Sequence, residues 1–514
     1  MTETKKWRVN FSIGPRSIYF DLCMPYAELL QKAIPLKSGR QLLAEFIVEY
    51  KDGTMRGLVP ISVIQKVSEW IKEKIISDPE WADELHRHTE TVNREWFEYA
   101  HNVRGATLSS LSNKELADIA VQMRKLQAHA HADGLATTWF VDSDSEVFSS
   151  YLRETLRAHA QKQGITDLAR VIDIFILLTT PGRSSLLQDE QNEFLTLVKR
   201  IEQMPAREVF RQFDTASEIY CHLPKDIQHS LHEHYEKWRW IPYGYIGPAY
   251  TLEHYVEEIQ KTLASGVNIE ELLTHKEKRL ENVAREQARI VEELSLPNDM
   301  QRLFAIARDI IWLKDYRKLC QFHGMYVLHL VTGEVAKRLH LTLKQAAHFL
   351  DNEIAIALEK GEADHDLLNR RTQHSVAYIT PDKVTYYDGN AAADFMSKVE
   401  IEQSAIGASG EFFGSCACPG TVEGEVKIVN TVEDMPKMRE GDIMVAHTTF
   451  PALVPAMKKA AAIITEDGGI TCHAAIVARE FRIPCVVGIR DILTVVRDGD
   501  RVEVDATNGI VKKL

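Results

Sequence analysis

The 514-residue sequence predicts a multidomain protein. A mostly α N-terminal region is followed by a C-terminal domain in which short strands alternate with helices. Three observations carry this. From Pro60 to about Gly361, apolar residues recur at helical spacing behind recognisable capping boxes. From Phe413 to Leu514, short apolar runs are separated by Gly, Pro and Asn-Gly turn signals. Between them, residues Ala405 to Gly410 are small and flexible, the composition of a linker. The length accommodates two to four domains. The composition, 45% hydrophobic and 26% charged, is that of an ordinary globular protein.

Composition also narrows the function classes. A formal net charge of -13 argues against a general nucleic-acid binder. No apolar run approaches the length of a bilayer span, and the first residues lack the apolar core of a signal peptide. No nucleic-acid or membrane partner is therefore expected, and a cytoplasmic location is. The cysteines are expected to be reduced thiols. Only Cys416 and Cys418 are close-spaced, and one Cys-x-Cys is a weak metal signal, so no metal site is predicted. His129 and His131, like His232 and His234, are two apart. On a helix such pairs point away from each other, and all four are expected to be exposed.

The elements follow in order. Residues 1–65 form a mixed α/β segment. Trp7 to Ile13 alternates as a strand does, and Glu45 to Tyr50 leads into an Asp52-Gly53 hairpin turn. Residues 66–365 form a helical domain. Ser112 to Glu115 is a capping box, and Leu116, Ile119, Ala120, Met123 and Leu126 mark the face behind it. A charged helix stops before Pro297, and Leu303, Ile306, Ile310 and Leu313 mark the next. Thr342 to Gln345 is a second capping box, opening a periodic segment that runs to Gly361. Within this domain Tyr235 to Tyr250 is dense in aromatics, with Gly and Pro that preclude a regular helix. Trp238, Trp240, Tyr243 and Tyr245 either line a binding cleft or plug a loop into the bundle core. Residues 366–410 hold a small hairpin, around His374 to Tyr387, and the linker. Residues 411–514 form the last domain, with strands expected at Gly420 to Val429, Gly441 to Ala446, Ala460 to Ile464, Pro484 to Val487 and Arg501 to Asp505.

The last domain holds the stretch that carries chemistry, Thr465 to Glu480. A buried strand leads to Gly468 and Gly469, where the backbone can approach a ligand. Thr471 is a plausible N-cap for the helix that follows. His473 then lies in the first helical turn, beside unpaired N–H groups that favour a phosphoryl group. Gly468, Gly469, Thr471, Cys472 and Arg479 are the candidate phosphate-binding residues around it. The plain alternative is a buried histidine after a glycine turn.

Thr-x-x-Gly-Gly-x-Thr-x-His-Ala-Ala closely resembles the phosphohistidine motif of the phosphoenolpyruvate synthase and pyruvate phosphate dikinase family, also called PEP-utilizing enzymes. The resemblance covers about the last hundred residues. It implies a compact β/β/α swivelling domain, with His473 carrying a phosphoryl group between two sites. The helical region resembles, more loosely, the acceptor domain of rifampin phosphotransferase-like enzymes. No ATP-grasp pattern or Walker A loop is recognisable upstream. The resemblance therefore implies an ATP-grasp partner subunit that loads His473 from ATP, with Mg²⁺ arriving on that partner. It also implies a small-molecule acceptor in the helical domain. The alternatives are a phosphoenolpyruvate-fed phosphocarrier, or a non-catalytic regulatory or scaffold protein that keeps the carrier fold.

Overall fold

The computed structural model describes residues 6–13, 45–134, 141, 147–244, 247–380, 383–402, 411–449, 453–466, 468, 472–489 and 492–514. The sequence-expected linker at 405–410 lies outside the described residues. The chain divides into two compact units after Ile401.

The first unit combines helices with a six-stranded sheet. Its strands are β1 (Lys6–Ile13), β2 (Phe46–Lys51), β3 (Thr54–Pro60), β4 (His374–Ile379), β5 (Val384–Asp388) and β6 (Glu400–Ile401), in the order β5-β4-β2-β3-β1-β6. Asp52 and Gly53 both take positive φ, 48° and 87°, as a two-residue hairpin turn requires. They place Lys51 opposite Thr54.

This sheet redraws two boundaries. Residues 1–65 and the hairpin within 366–410 were expected in separate segments. Instead β2 pairs antiparallel with β4, from Phe46 opposite Ile379 to Lys51 opposite His374, and β1 takes β6 as a parallel neighbour. Alternation along a strand says which face is buried, not which distant strand completes its edge. The buried Glu49 carboxylate ties the join, with His374 Nε2 at 2.9 Å and Arg56 across the hairpin.

Four helices matter below: α1 (Pro79–Arg104), α2 (Asn113–Gly134), α3 (Lys225–Trp238) and α4 (Asn298–Arg338). The capping box before α2 is formed. The Glu115 N–H donates to Ser112 Oγ at 3.2 Å, and the Ser112 N–H donates to Glu115 Oε2 at 2.8 Å. Leu116, Ala120 and Met123 are buried as expected, but Arg124 and Gln127 join them while Ile119 and Leu126 stay half-buried. The long α4 buries Leu303, Ile306, Ile310 and Leu313. The capping box at Thr342 is also present, yet its helix ends at Ala346 and a new one spans Asp351–Lys360.

The histidine pairs need correction. His232 is exposed, but His234 is buried, with Nε2 3.3 Å from Glu190 Oε1. His131 contacts Gln321 and is half-buried. Two positions apart on a helix does put the rings on different faces, and one of those faces is the interior.

Burial of neutral histidines makes the first unit acid-sensitive. His86 and His329 are pushed down to about 4 and His348 to about 3, in each case mainly by desolvation. Below the ordinary value near 6.5 the unfolded chain binds these protons first. Their contribution is therefore fully present above pH 6.5 and is lost as the pH falls toward 4, at up to about 1.4 kcal/mol per pH unit for each group. Urea midpoints are expected to drop steeply between pH 7 and pH 5, and His348→Gln should flatten the drop. A pH-independent midpoint over that range would contradict the assignment.

The second unit has β7 (Glu411–Phe413), β8 (Ser415–Cys418), β9 (Thr421–Ile428), β10 (Ile443–Ala446), β11 (Ala462–Thr465), β12 (Cys485–Val487), β13 (Arg501–Asp505) and β14 (Ile510–Lys513), in the order β7-β14-β13-β9-β10-β11-β12-β8. The long β9 serves two partners. Residues 421–425 pair antiparallel with β13, and residues 426–428 pair parallel with β10. This gives three layers. Ile443 and Val445 point toward β13 and β14, in a core with Val502, Val504 and Val511. Met444 and Ala446 point the other way, in a core with Ala474, Ala475 and Ala478 of helix α5 (His473–Phe481). Among the described residues, no helix is long and apolar enough to cross a membrane.

Candidate functional site

Strands β9 to β12 run parallel, and their C-terminal ends form the edge where ligands bind in open α/β sheets. β10 and β11 are in register up to Ala446 opposite Thr465. The Glu466 N–H then donates to the Ala446 carbonyl at 2.9 Å, and the Ile489 N–H to the Thr465 carbonyl at 3.0 Å. The chain leaves β11 at this edge, passes Gly468 and enters α5, whose first residue is His473. The expected placement of His473 in the first turn of a helix is therefore what the backbone adopts.

The N-cap is Cys472, one residue later than the expected Thr471, and its side chain makes no capping hydrogen bond. Gly469 and Thr471 lie outside the described residues. Gly468 has φ 109°, and a Cβ there would stand 3.0 Å from both Cβ and Sγ of Cys472. Backbone conformation and space thus both demand glycine. The Oγ1 of Thr465, fully buried, lies 3.9 Å from that same point and has no hydrogen-bond partner among the described residues. On the carrier reading that the motif resemblance implies, a Gly468→Ala substitution is expected to slow phosphoryl acceptance by about tenfold or more, since misplaced reacting groups lose rate steeply. Single-turnover labelling measures it, and an unchanged rate would remove Gly468 from the site.

Arg479, the arginine expected near the phosphate, is on the same helix as His473. It lies six residues after His473, roughly 9 Å along the helix axis and on a different face. Its Nε donates to the Ala417 carbonyl on β8 at 2.7 Å. It is largely desolvated, which lowers its pKa, and Cys416, Cys418, Cys472 and Cys485 surround it closely enough to act on its charge. Cys418 faces Cys485 across the β8–β12 ladder. Arg479 therefore ties α5 to the sheet edge. Among the described residues, no group of three or more His, Cys, Asp and Glu side chains gathers as a metal site.

One pair was missed in the sequence. His447 Nδ1 lies 2.9 Å from Glu466 Oε2, and Glu466 Oε1 accepts the Leu493 N–H at 3.2 Å. Each residue directly follows a strand, β10 or β11, so both stand on the edge that leads to His473. Only the parallel pairing of those strands brings them together. The available signal was weak, namely a polar residue just past each apolar run.

The aromatic segment turns inward. Trp238 and Trp240 are buried, their indole N–H groups donating to Glu193 Oε2 and to the Lys237 carbonyl, each at 2.7 Å. Tyr243 Oη and His329 Nδ1 share a 2.7 Å hydrogen bond. Tyr245 lies outside the described residues. The two tryptophans thus plug the core and do not line an open cleft.

Comparison with known proteins matches residues 438–509 to the family described as PEP-utilising enzyme, mobile domain. A probable phosphoenolpyruvate synthase from Archaeoglobus fulgidus is 50% identical over 98 residues, which is 19% of this chain and 13% of that protein. The phosphoenolpyruvate synthase of Pyrococcus furiosus is 42% identical over 121 residues, 24% of this chain and 14% of its own length. A rifampicin phosphotransferase from Bacillus cereus is 23% identical over 252 residues, 46% of this chain and 28% of its own. The chain thus spans only a small part of the curated relatives it matches. Residues 438–509 are similar to the PEP-utilising mobile domain, and the resemblance drawn from the His473 motif stands.

Proposed function

We propose that this chain, with its PEP-utilising mobile domain, is the phosphoryl-carrying component of a phosphotransferase. His473 accepts a phosphoryl group from ATP bound to a separate ATP-grasp subunit and passes it to a small-molecule acceptor in the helical unit. The observation that carries this reading is the placement of His473 as the first residue of α5, at the C-terminal edge of parallel strands and five residues after Gly468, which takes positive φ.

The chemistry is a displacement at phosphorus. A ring nitrogen of neutral His473 forms the N–P bond as the bond from phosphorus to the departing oxygen breaks. The backbone N–H groups that open α5 have no intrahelical acceptor. With the helix dipole they hold the charge on the phosphoryl oxygens. Transfer onward reverses the step: an acceptor oxygen attacks, and the N–P electrons return to the ring. Such reactions depend chiefly on position and charge neutralisation. Family likeness makes the transferred group the β-phosphoryl of ATP, leaving AMP and phosphate. Mg²⁺ belongs in this reading to the nucleotide on the partner. The segment 405–410 is the proposed hinge, and the cytoplasm the proposed compartment.

The test uses the full chain with ATP labelled at the β-phosphoryl, alone and with an ATP-grasp protein encoded nearby, beside labelled phosphoenolpyruvate. Acid-labile label that requires the ATP-grasp protein is expected. Label from phosphoenolpyruvate alone would reassign the donor. No label from either donor would leave the scaffold reading.

A further inference from the structure

Three helices converge on a cluster that nothing above uses. The end of α1 supplies His101 and Arg104, the end of α3 supplies Tyr235 and Arg239, and the middle of α4 supplies His323 and Tyr326. The guanidinium of Arg239 stands over the rings of Tyr235 and Tyr326, 4.4 Å and 5.5 Å from their centroids. Arg104 Nη1 donates to the Glu236 backbone carbonyl at 2.5 Å. The two guanidiniums are close enough for each to oppose the other's charge, and Arg104 is further disfavoured by desolvation. One carboxylate serves both, Glu236, at 3.2 Å from Arg239. Nearby Lys237 is engaged by Glu193 at 2.7 Å. The cluster therefore carries excess positive charge in a partly desolvated place.

Two polar groups there are also incomplete. Arg239 Nε is buried without a hydrogen-bond partner, and so are both ring nitrogens of His323. His323 is fully buried against Phe97 and Trp240, within electrostatic reach of Arg104. A neutral imidazole always has one donor and one acceptor to satisfy, and native interiors rarely leave such groups unmade. Capping the end of α3 accounts for one nitrogen of Arg104. It accounts for neither Arg239 Nε nor His323. Guanidinium forks match carboxylate and phosphate geometry.

We infer that Arg104 and Arg239 form an oxyanion-binding site in the helical unit, which holds the carboxylate or phosphoryl group of a small molecule above His323. Its place in the reaction rests on the acceptor reading above; binding itself does not.

Trp240 packs on His323 with ring centroids 5.0 Å apart, so tryptophan fluorescence of the full chain reports occupancy. The probes are benzoate, 4-hydroxybenzoate, pyruvate and inorganic phosphate, with benzamide as the neutral control. Saturable binding of at least one oxyanion is expected, with none of benzamide. Arg239→Gln should weaken it by about tenfold or more. Arg104→Lys, which keeps the charge and loses the fork, should weaken it less, and it carries the test if Arg239→Gln does not fold. A response to carboxylates assigns the site to an acceptor's carboxylate, and a response to phosphate assigns it to the phosphoryl group. Absence of saturable binding by every oxyanion, or wild-type affinity in both variants, overturns the inference. His473→Ala should bind the probes as wild type does, so this result and the phosphoryl-transfer result can fail separately.

Discussion

Replacing His473 by alanine is expected to abolish acid-labile phosphorylation, with a loss of at least ~10³-fold in labelling rate, the order seen when a nucleophile is removed outright. The argument is geometric. α5 begins at His473, and the side chain of its N-cap, Cys472, makes no capping hydrogen bond. In the proposed reading a phosphoryl group received at this helix start is attached to the imidazole of His473. The other histidine on this sheet edge, His447, is engaged by Glu466 at 2.9 Å. Folding should be unaffected, because the apolar side of α5 is built from Ala474, Ala475, Val477 and Ala478. The check is paired: label kept after alkaline treatment and lost after acid treatment, and circular dichroism of the same samples. Acid-labile label persisting in His473→Ala at wild-type level would move the carrier role to another residue.

The second large effect concerns the first unit and is one of packing. Where α4 crosses α1, Gly324 faces Trp96, which is fully buried. A Cβ at residue 324 would overlap the indole ring at Cε2, Cζ2 and Nε1. Alanine is the better helix former by about 1 kcal/mol, which alone would stabilise Gly324→Ala. Overpacking a closed core costs about 1–3 kcal/mol and more when the neighbour cannot move. The indole is enclosed and is not the far end of a flexible chain, so the steric cost prevails. A net loss of about 2 kcal/mol is expected, or roughly 2–3 °C in melting temperature for a unit of this size. Trp96→Leu should relieve the overlap, so that the double variant loses less than the sum of the two single ones. A melting temperature of Gly324→Ala at or above wild type would show that the helices separate without cost.

Some of this was legible before any coordinates. The Asp52-Gly53 hairpin, the capping boxes at Ser112 and Thr342, the end of a helix before Pro297 and the helix start at His473 are local. Each depends on residues within a few positions, where spacing and side-chain chemistry suffice. The helical face of α2 was only partly legible. Its periodicity is real, but Arg124 and Gln127 enter the interior, and for Arg124 a backbone carbonyl distant in sequence meets it there. Arg124 Nη1 donates to the Phe349 carbonyl at 2.8 Å.

What the sequence alone determined is the class of each region and the identity of the candidate carrier, because both are written in short spacings. Tertiary structure decided which distant groups share a place. It paired β2 with β4, committed Arg479 to Ala417 and set His447 against Glu466. It also turned Trp238 and Trp240 into the core and brought Arg104 beside Arg239. The physical reason is common to the first four. A strand edge, a guanidinium or an indole N–H must find a partner once it leaves water. Several partners satisfy that need equally well in a linear chain, and only the packed fold selects among them.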